Sequence, residues 1–234
     1  MGAPGGSSPP DPPPPRQSFG KAMLNKYARA FFTRVLTPFA SFLLRHNVSP
    51  DTVTLIGTLG VVVAALVFFP IGWFLTGTLV ITAFIFSDLV DGNMARQLGR
   101  STKWGAFLDS TLDRVADAAI FGALAIWFAG DGDNLRMCIL AIFCLGSGQV
   151  VSYSKARAES LGLACDVSGL IERAERLVIS LVATGLDGMG VPYIQEAALW
   201  FIAVGSLITV FQRMIAIHRS ASAIDNAVSG GDKP

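Results

Sequence analysis

Six apolar stretches, each close to the length of a membrane-crossing helix, constrain this chain more than any other feature. They fall roughly at residues 52–70, 72–91, 105–129, 136–158, 171–187 and 194–216. A helix needs about 20 mainly apolar residues to cross the hydrocarbon core, and a backbone in lipid must satisfy its own hydrogen bonds. The expectation is therefore an all-α integral membrane protein with six transmembrane helices. Composition agrees, since 52% of residues are hydrophobic and only 15% charged, where a soluble domain carries about a quarter charged. Net charge is only +1, so any anionic partner must be met by local basic clusters, and no nucleic acid is expected.

The flanks read differently. Residues 1–18, "MGAPGGSSPPDPPPPRQS", hold seven of the twelve prolines and no apolar core of a signal peptide, so a disordered tail is expected. Over 19–48 the pattern is helical but too charged to span. Leu24, Tyr27, Ala28, Phe31 and Val35 share one stripe, with Lys26, Arg29 and Arg34 opposite. That pattern suits an amphipathic helix in the membrane interface, broken near Pro38. The bundle would occupy 49–218 and a C-terminal tail 219–234. Cys138, Cys144 and Cys165 form no CxxC pair or even framework, and the first two read as small core residues. Seventeen of the eighteen Lys and Arg residues fall on one side of the six spans or in a segment opening from it, Arg136 being the exception. The bias places both termini in the cytoplasm, in a multi-pass protein of the cell membrane.

Acidic residues at the mouths of the second and third spans need a separate explanation. Asp88 and Asp91 are three apart, Asp109 and Asp113 four apart, so each pair lies on one helix face. The short linker predicts that the two helices pack as antiparallel neighbours, gathering four carboxylates just inside the cytoplasmic surface. Four such charges cannot all stay ionised in low dielectric without a counter-charge. Salt bridges to Arg96, Arg100, Lys103 and Arg114 could supply it for any one of them. For all four at helical spacing, hard divalent cations are the better match, because all-oxygen donors suit Mg²⁺, Mn²⁺ or Ca²⁺. Asp117 continues this face one turn deeper and is left outside the site. Ser49 or Asp51 can cap the first span around Pro50.

Residues 88–113 spell D-x2-D-G-x2-A-R-x8-G-x3-D-x3-D, the fixed letters being Asp88, Asp91, Gly92, Ala95, Arg96, Gly105, Asp109 and Asp113. This resembles the signature of the CDP-alcohol phosphotransferases at every letter. The resemblance implies an enzyme in which an alcohol attacks the β-phosphorus of a CDP-linked donor, here CDP-diacylglycerol, and CMP leaves. It implies two divalent ions, Mg²⁺ with Mn²⁺ as the alternative. Asp88 and Asp109 would contact both, Asp91 the first and Asp113 the second, with Asp113 also the general base. Gly92 would let the nucleotide approach, Ala95 would fit a crowded spot, and Arg96 would hold a phosphate. The family's cytidine diphosphate pocket also maps onto Asp51, Thr52, Val53, Thr54 and Thr102. Dimerisation is a family expectation, and no motif in the chain identifies an interface.

A second basic cluster bears on the acceptor. Lys155, Arg157, Arg173, Arg176 and Arg213 reach the same end from three helices. The positive-inside bias and anionic lipid headgroups account for scattered charges such as Arg219. They account less well for "KARAE" and "IERAER", where bases and acids interleave at helical spacing, as suits an acceptor bearing its own phosphate. These stretches resemble the prokaryotic phosphatidylinositol phosphate synthases of actinobacteria, over most of residues 30–215. That implies inositol 1-phosphate as acceptor, held by Lys155, Arg157, Arg176 and Arg213 with Arg173 alongside. Ala174 departs from the proline of some relatives. Glycerol 3-phosphate, giving phosphatidylglycerophosphate, is the alternative acceptor. A transporter is the alternative of another class, disfavoured because the acids cluster at one face and the opposite halves of the spans offer no polar route.

Overall fold

Two helix starts are fixed by hydroxyl caps. Ser49 Oγ accepts from the Thr52 N–H at 3.1 Å with Pro50 next in the chain, and Thr102 Oγ1 accepts from the Gly105 N–H at 2.9 Å. Of the two residues able to cap the first long helix, Ser49 does so. The computed structural model describes residues 37–98, 102–163 and 169–230, and among them there is no β-strand. The 1–18 tail, the apolar stripe and basic face expected over 19–36, Arg100, Cys165 and Lys233 lie outside the described residues, as do the side chains of Asp88 and Arg96.

Helix α1 covers 37–45. The others are α2 (Pro50–Phe68), α3 (Phe74–Gln97), α4 (Lys103–Ala129), α5 (Leu135–Ser160), α6 (Arg173–Asp187) and α7 (Ile194–Gly230). The loop between α3 and α4 is thus shorter than "QLGRSTKW", and α7 runs well past residue 216. At 1.5 Å per residue it is about 55 Å long, far more than a bilayer core needs. Gly162 ends α5 in the left-handed conformation (φ +69°). The Leu163 N–H bonds the Ala158 carbonyl at 3.0 Å and the Gly162 N–H the Glu159 carbonyl at 3.1 Å, a paired closure that a glycine makes without a Cβ penalty.

Among the described residues, four helices are long and apolar enough to cross a membrane: Pro50–Phe68, Phe74–Ala95, Leu135–Ser160 and Ile194–Asn226. The other two expected spans fall short for separate reasons. Every 18-residue window of α4 contains Asp113, Arg114 and Asp117, so its charges disqualify it. Helix α6 has 15 residues, about 22 Å. The outward faces of the apolar helices are greasy: Leu59 is 62% exposed, Ile139 58% and Phe201 57%. In water that surface would be an aggregation site, and in lipid it is the solvated face.

The six long helices close a ring. Helix α2 packs on α3 and α4, α3 on α6, α6 on α7, α7 on α5, and α5 on α4. This corrects the expectation that the short linker makes α3 and α4 packed neighbours. Helix α2 instead serves as the common partner of both, its small residues Thr54, Gly57, Thr58, Val61 and Ala65 buried. One continuous core, including Ala65, Ile81, Ile120, Ala141, Leu181 and Ile202, fills the interior. Cys138 and Cys144 are buried free thiols, as expected. Helix α1 is tied on at one end. Ala40 is fully buried against Val90 and Met94, with Leu43, Leu44 and Val53 around it, and Ser41 Oγ donates to Gln97 Oε1 at 3.0 Å.

Gly188, just after α6, meets the start of α3: a Cβ there would stand 2.5 Å from the Leu75 backbone nitrogen. Backbone cannot rotate away as a side-chain tip can. Gly188→Ala is therefore expected to destabilise the bundle by about 1–3 kcal/mol, read as a lower Tm in detergent. A wild-type Tm would refute this close approach.

Candidate active site

The two capped ends, of α2 and α4, open onto the same cavity. It measures about 390 Å³ and is lined by Ser49, Pro50, Asp51, Thr54, Asp91, Gly92, Ala95, Leu98, Thr102, Gly105, Ala106 and Asp109. Helix α3 brings Asp91, Gly92 and Ala95, and α4 brings Asp109. Gly105 lets the two ends approach, since a Cβ there would lie 3.1 Å from Thr102 Oγ1 and 3.6 Å from Asp51 Oδ1. At Gly92 a Cβ would meet nothing within 4 Å. The backbone there faces open space, so any side chain longer than hydrogen would project into it.

Asp91 is 8% exposed, and Thr54 Oγ1 donates to its Oδ2 while also reaching the Pro50 carbonyl at 3.1 Å. Asp109 and Asp113 are near enough to repel it. Asp91, Asp109 and Asp113 offer oxygen donors only, with no histidine or thiol, the chemistry that a hard divalent cation takes. Among the described residues no three acids already converge on one point.

Of the sequence-derived pocket residues, Asp51, Thr54, Asp91, Gly92, Ala95, Thr102 and Asp109 share the cavity. Thr52 and Val53 do not line it. Thr52 Oγ1 is 2.8 Å from Ser49 Oγ in the cap, and Val53 packs under α1.

Asp113, one turn deeper on α4, points to a different neighbourhood. Arg173 Nη1 stands 2.8 Å from its Oδ1, and Arg173 Nε donates to Asp117 Oδ1 at 3.4 Å. Arg176 Nη2 pairs with Asp117 Oδ2, and both side chains are almost wholly buried. Arg114 is only 3.6 Å from Asp113. These pairs connect α4 to α6 across the ring, since the two helices are not ring neighbours.

Arg213 of α7 is 3% exposed. Its Nη1 donates to the Val151 carbonyl of α5 and its Nη2 to Glu172 Oε1 at 2.9 Å. Lys155 and Arg157, near the end of α5, are exposed; Arg157 Nη1 lies 3.5 Å from Ser160 Oγ. The five basic residues thus divide. Arg176 and Arg213 sit inside with carboxylate or carbonyl partners, Arg173 bridges two acids, and Lys155 and Arg157 face outward.

Three participants escaped the sequence reading. Asp117 had the right spacing, but nothing in the sequence gave its partner. Gly148 of α5 lies under the Arg176 guanidinium. Glu172 receives Arg213 and, at 3.1 Å, the Gly169 N–H, while its own N–H bonds Glu175 Oε2 at 3.2 Å. The E-x-x-E spacing in "IERAER" was the available signal for it.

Glu172 lies just outside α6. Burial alone would raise its carboxyl, but the Gly169 N–H, Arg213 and Lys155 outweigh that and hold it below the ordinary carboxylate range. A group with a depressed native pKa stabilises the fold above its unfolded pKa and loses that contribution as pH falls through the native value. Glu172→Gln is therefore expected to lower Tm at pH 7, with the gap to wild type closing below about pH 4.5, the ordinary value for this carboxyl. A gap constant with pH would refute the ionised contact.

Known proteins resemble this chain in sequence and in fold. Residues 47–211 match the CDP-alcohol phosphatidyltransferase family. The chain is 66% identical over 218 residues to the phosphatidylinositol phosphate synthase of Streptomyces avermitilis, covering 91% of this chain and 89% of that one. It is 43% identical over 213 residues to that of Mycobacterium tuberculosis, covering 88% and 97%. Among solved structures, the M. tuberculosis phosphatidylinositol phosphate synthase with CDP-DAG bound is similar at TM-score 0.76 and 41% identity, over 79% of this chain and 94% of that one. The same synthase in complex with manganese and citrate is similar at 0.75 and 41%, over 81% and 91%.

Proposed function

Because this chain belongs to the CDP-alcohol phosphatidyltransferase family, we infer that it transfers the phosphatidyl group of CDP-diacylglycerol to inositol 1-phosphate. The products are phosphatidylinositol phosphate and CMP, so it is a transferase of phospholipid biosynthesis. Its four long apolar helices make it a membrane protein. The observation that carries the acceptor assignment is Arg173, with one nitrogen on Asp113 and another on Asp117. It joins the carboxylate side of the site to the arginine side, so an alcohol whose phosphate rests on the arginines has its hydroxyl near Asp113.

On this reading the cavity at the capped ends of α2 and α4 receives the cytidine diphosphate. The positive ends of two helices favour an anionic pyrophosphate there. Gly92 and Ala95 leave space for it, and Arg96 would hold a phosphate oxygen. Asp88, Asp91, Asp109 and Asp113 would hold divalent cations, which we take to be two Mg²⁺ with Mn²⁺ able to substitute. When bound they supply positive charge against the pyrophosphate. Thr54 fixes the Asp91 carboxylate by its hydrogen bond. Asp113 accepts the proton of the acceptor hydroxyl as that oxygen bonds to the β-phosphorus. The bond from the β-phosphorus to the CMP oxygen breaks, and CMP leaves with the electron pair. Lys155, Arg157, Arg173, Arg176 and Arg213 hold the acceptor's phosphate.

We further propose that α4 and α6 complete six crossings despite their charge and length, α4 because its polar end opens onto the site. Both termini then face the cytoplasm of a cell-membrane protein that pairs as a homodimer. With an enzyme assigned, a transport role has nothing left to explain.

Purified protein in detergent, given CDP-diacylglycerol and a divalent cation, is expected to release CMP with inositol 1-phosphate. Free inositol, glycerol 3-phosphate and serine should each give little, and chelation should stop release. Equal release with free inositol would remove the phosphate from the recognition, and preference for glycerol 3-phosphate would replace the acceptor. Gly92→Leu is expected to hold or raise Tm, because leucine favours helix by about 1 kcal/mol over glycine, while abolishing CDP-diacylglycerol binding. Retained binding would take the nucleotide out of this cavity. Asp113→Asn should keep donor binding and lose turnover; normal turnover would exclude it as the base.

A further inference from the structure

Asp117 is left without a task in that reaction, yet it is 1% exposed, the most deeply buried carboxylate among the described residues. Its two oxygens divide between two arginines. Oδ2 takes Arg176 Nη2 and Oδ1 takes Arg173 Nε at 3.4 Å. Arg176 is also 1% exposed, and its guanidinium lies over Gly148 of α5. A Cβ at Gly148 would stand 2.5 Å from Arg176 Cζ and 2.8 Å from Nη1. The carboxylate grips the guanidinium on one side and a missing side chain makes room on another. Arg176 Nε and Nη1 are buried without a partner, an arrangement that costs stability if its only purpose is packing. Arg173, in front, is 24% exposed at its side chain and keeps Nη1 on Asp113.

We propose that Asp117 is a positioning residue for recognition of the acceptor's phosphate. It stands one turn below Asp113 on α4 and sets Arg173 and Arg176 side by side. The phosphate then meets a prearranged pair instead of having to order two flexible side chains. This rests on the acceptor reading above. A structural ion pair alone would change stability and leave the balance between the two substrates untouched. A positioning carboxylate acts through its arginines and changes one substrate's KM.

The test uses the full chain in detergent, with CMP release measured while each substrate is varied separately. Asp117→Asn keeps the shape and removes the charge. It is expected to raise KM for inositol 1-phosphate about tenfold, roughly the loss of one charge-assisted hydrogen bond, and to leave KM for CDP-diacylglycerol within about twofold. The double variant with Arg176→Ala should raise acceptor KM by less than the product of the two single effects, because Asp117 acts in part through Arg176. Gly148→Ala approaches the same guanidinium from the other side. It should raise acceptor KM and leave KM for CDP-diacylglycerol within about twofold. Unchanged acceptor KM in Asp117→Asn, an equal rise for both substrates, or additive effects in the double variant would overturn the proposal. If Asp117→Asn does not fold, an unchanged acceptor KM in Gly148→Ala overturns it instead. A wild-type enzyme that prefers glycerol 3-phosphate would overturn the acceptor assigned above, and the same KM comparisons with glycerol 3-phosphate would then decide Asp117.

Discussion

Opposite charges held across the interior of a helical ring are the constraint on which the rest of this structure depends. Helix α4 carries Asp113 and Asp117, and α6 carries Arg173 and Arg176. The two helices are not adjacent in the ring, yet their side chains meet through its centre. Charges in such surroundings attract strongly, and each costs several kcal/mol if left alone. The α4 acids and α6 arginines therefore require each other. Gly148 on α5 makes room for the Arg176 guanidinium, and the apolar residues of the core close around these pairs.

Two neighbourhoods divide along this charged seam. On one side the starts of α2 and α4 converge on an open cavity with Asp91 and Asp109 on its wall. On the other, arginines from α6 and α7 are satisfied by Asp113, Asp117, Glu172 and the Val151 carbonyl. Asp113 belongs to both sides. On the proposed function, a phosphate arriving at Arg173 would compete with the Asp113 carboxylate for the same guanidinium, and acceptor binding and exposure of the base would be linked by one side chain.

The same charges explain why hydropathy alone undercounts the helices. Helix α4 forms 27 residues of helix but carries its working residues within any stretch long enough to span. Helix α6 devotes its first turn to Arg173 and Arg176 and has only 15 residues in all. In both, the site displaces part of the apolar surface that would mark a crossing segment.

Helix positions were legible because apolar runs of membrane length leave the backbone few alternatives, and the i, i+3 and i, i+4 spacings place acids on shared faces whatever the packing. Spacing alone pairs Asp88 with Asp91 and Asp109 with Asp113, whereas Gly92, Ala95 and Arg96 were singled out only by resemblance to the family signature. Which helices would touch was not legible. A five-residue link between α3 and α4 looks like a demand for pairing, but the small residues of α2 let it fit against both, and that outcome depends on volumes from three segments at once. Nor could the sequence say that Thr52 turns into the cap, that Val53 turns under α1, or that Asp117 has two arginines for partners. The sequence by itself determined the helices and the spacing of charges along each one, because both are periodic and local. Tertiary structure alone decided which charge neutralises which, because that depends on distances between residues about 60 positions apart along the chain.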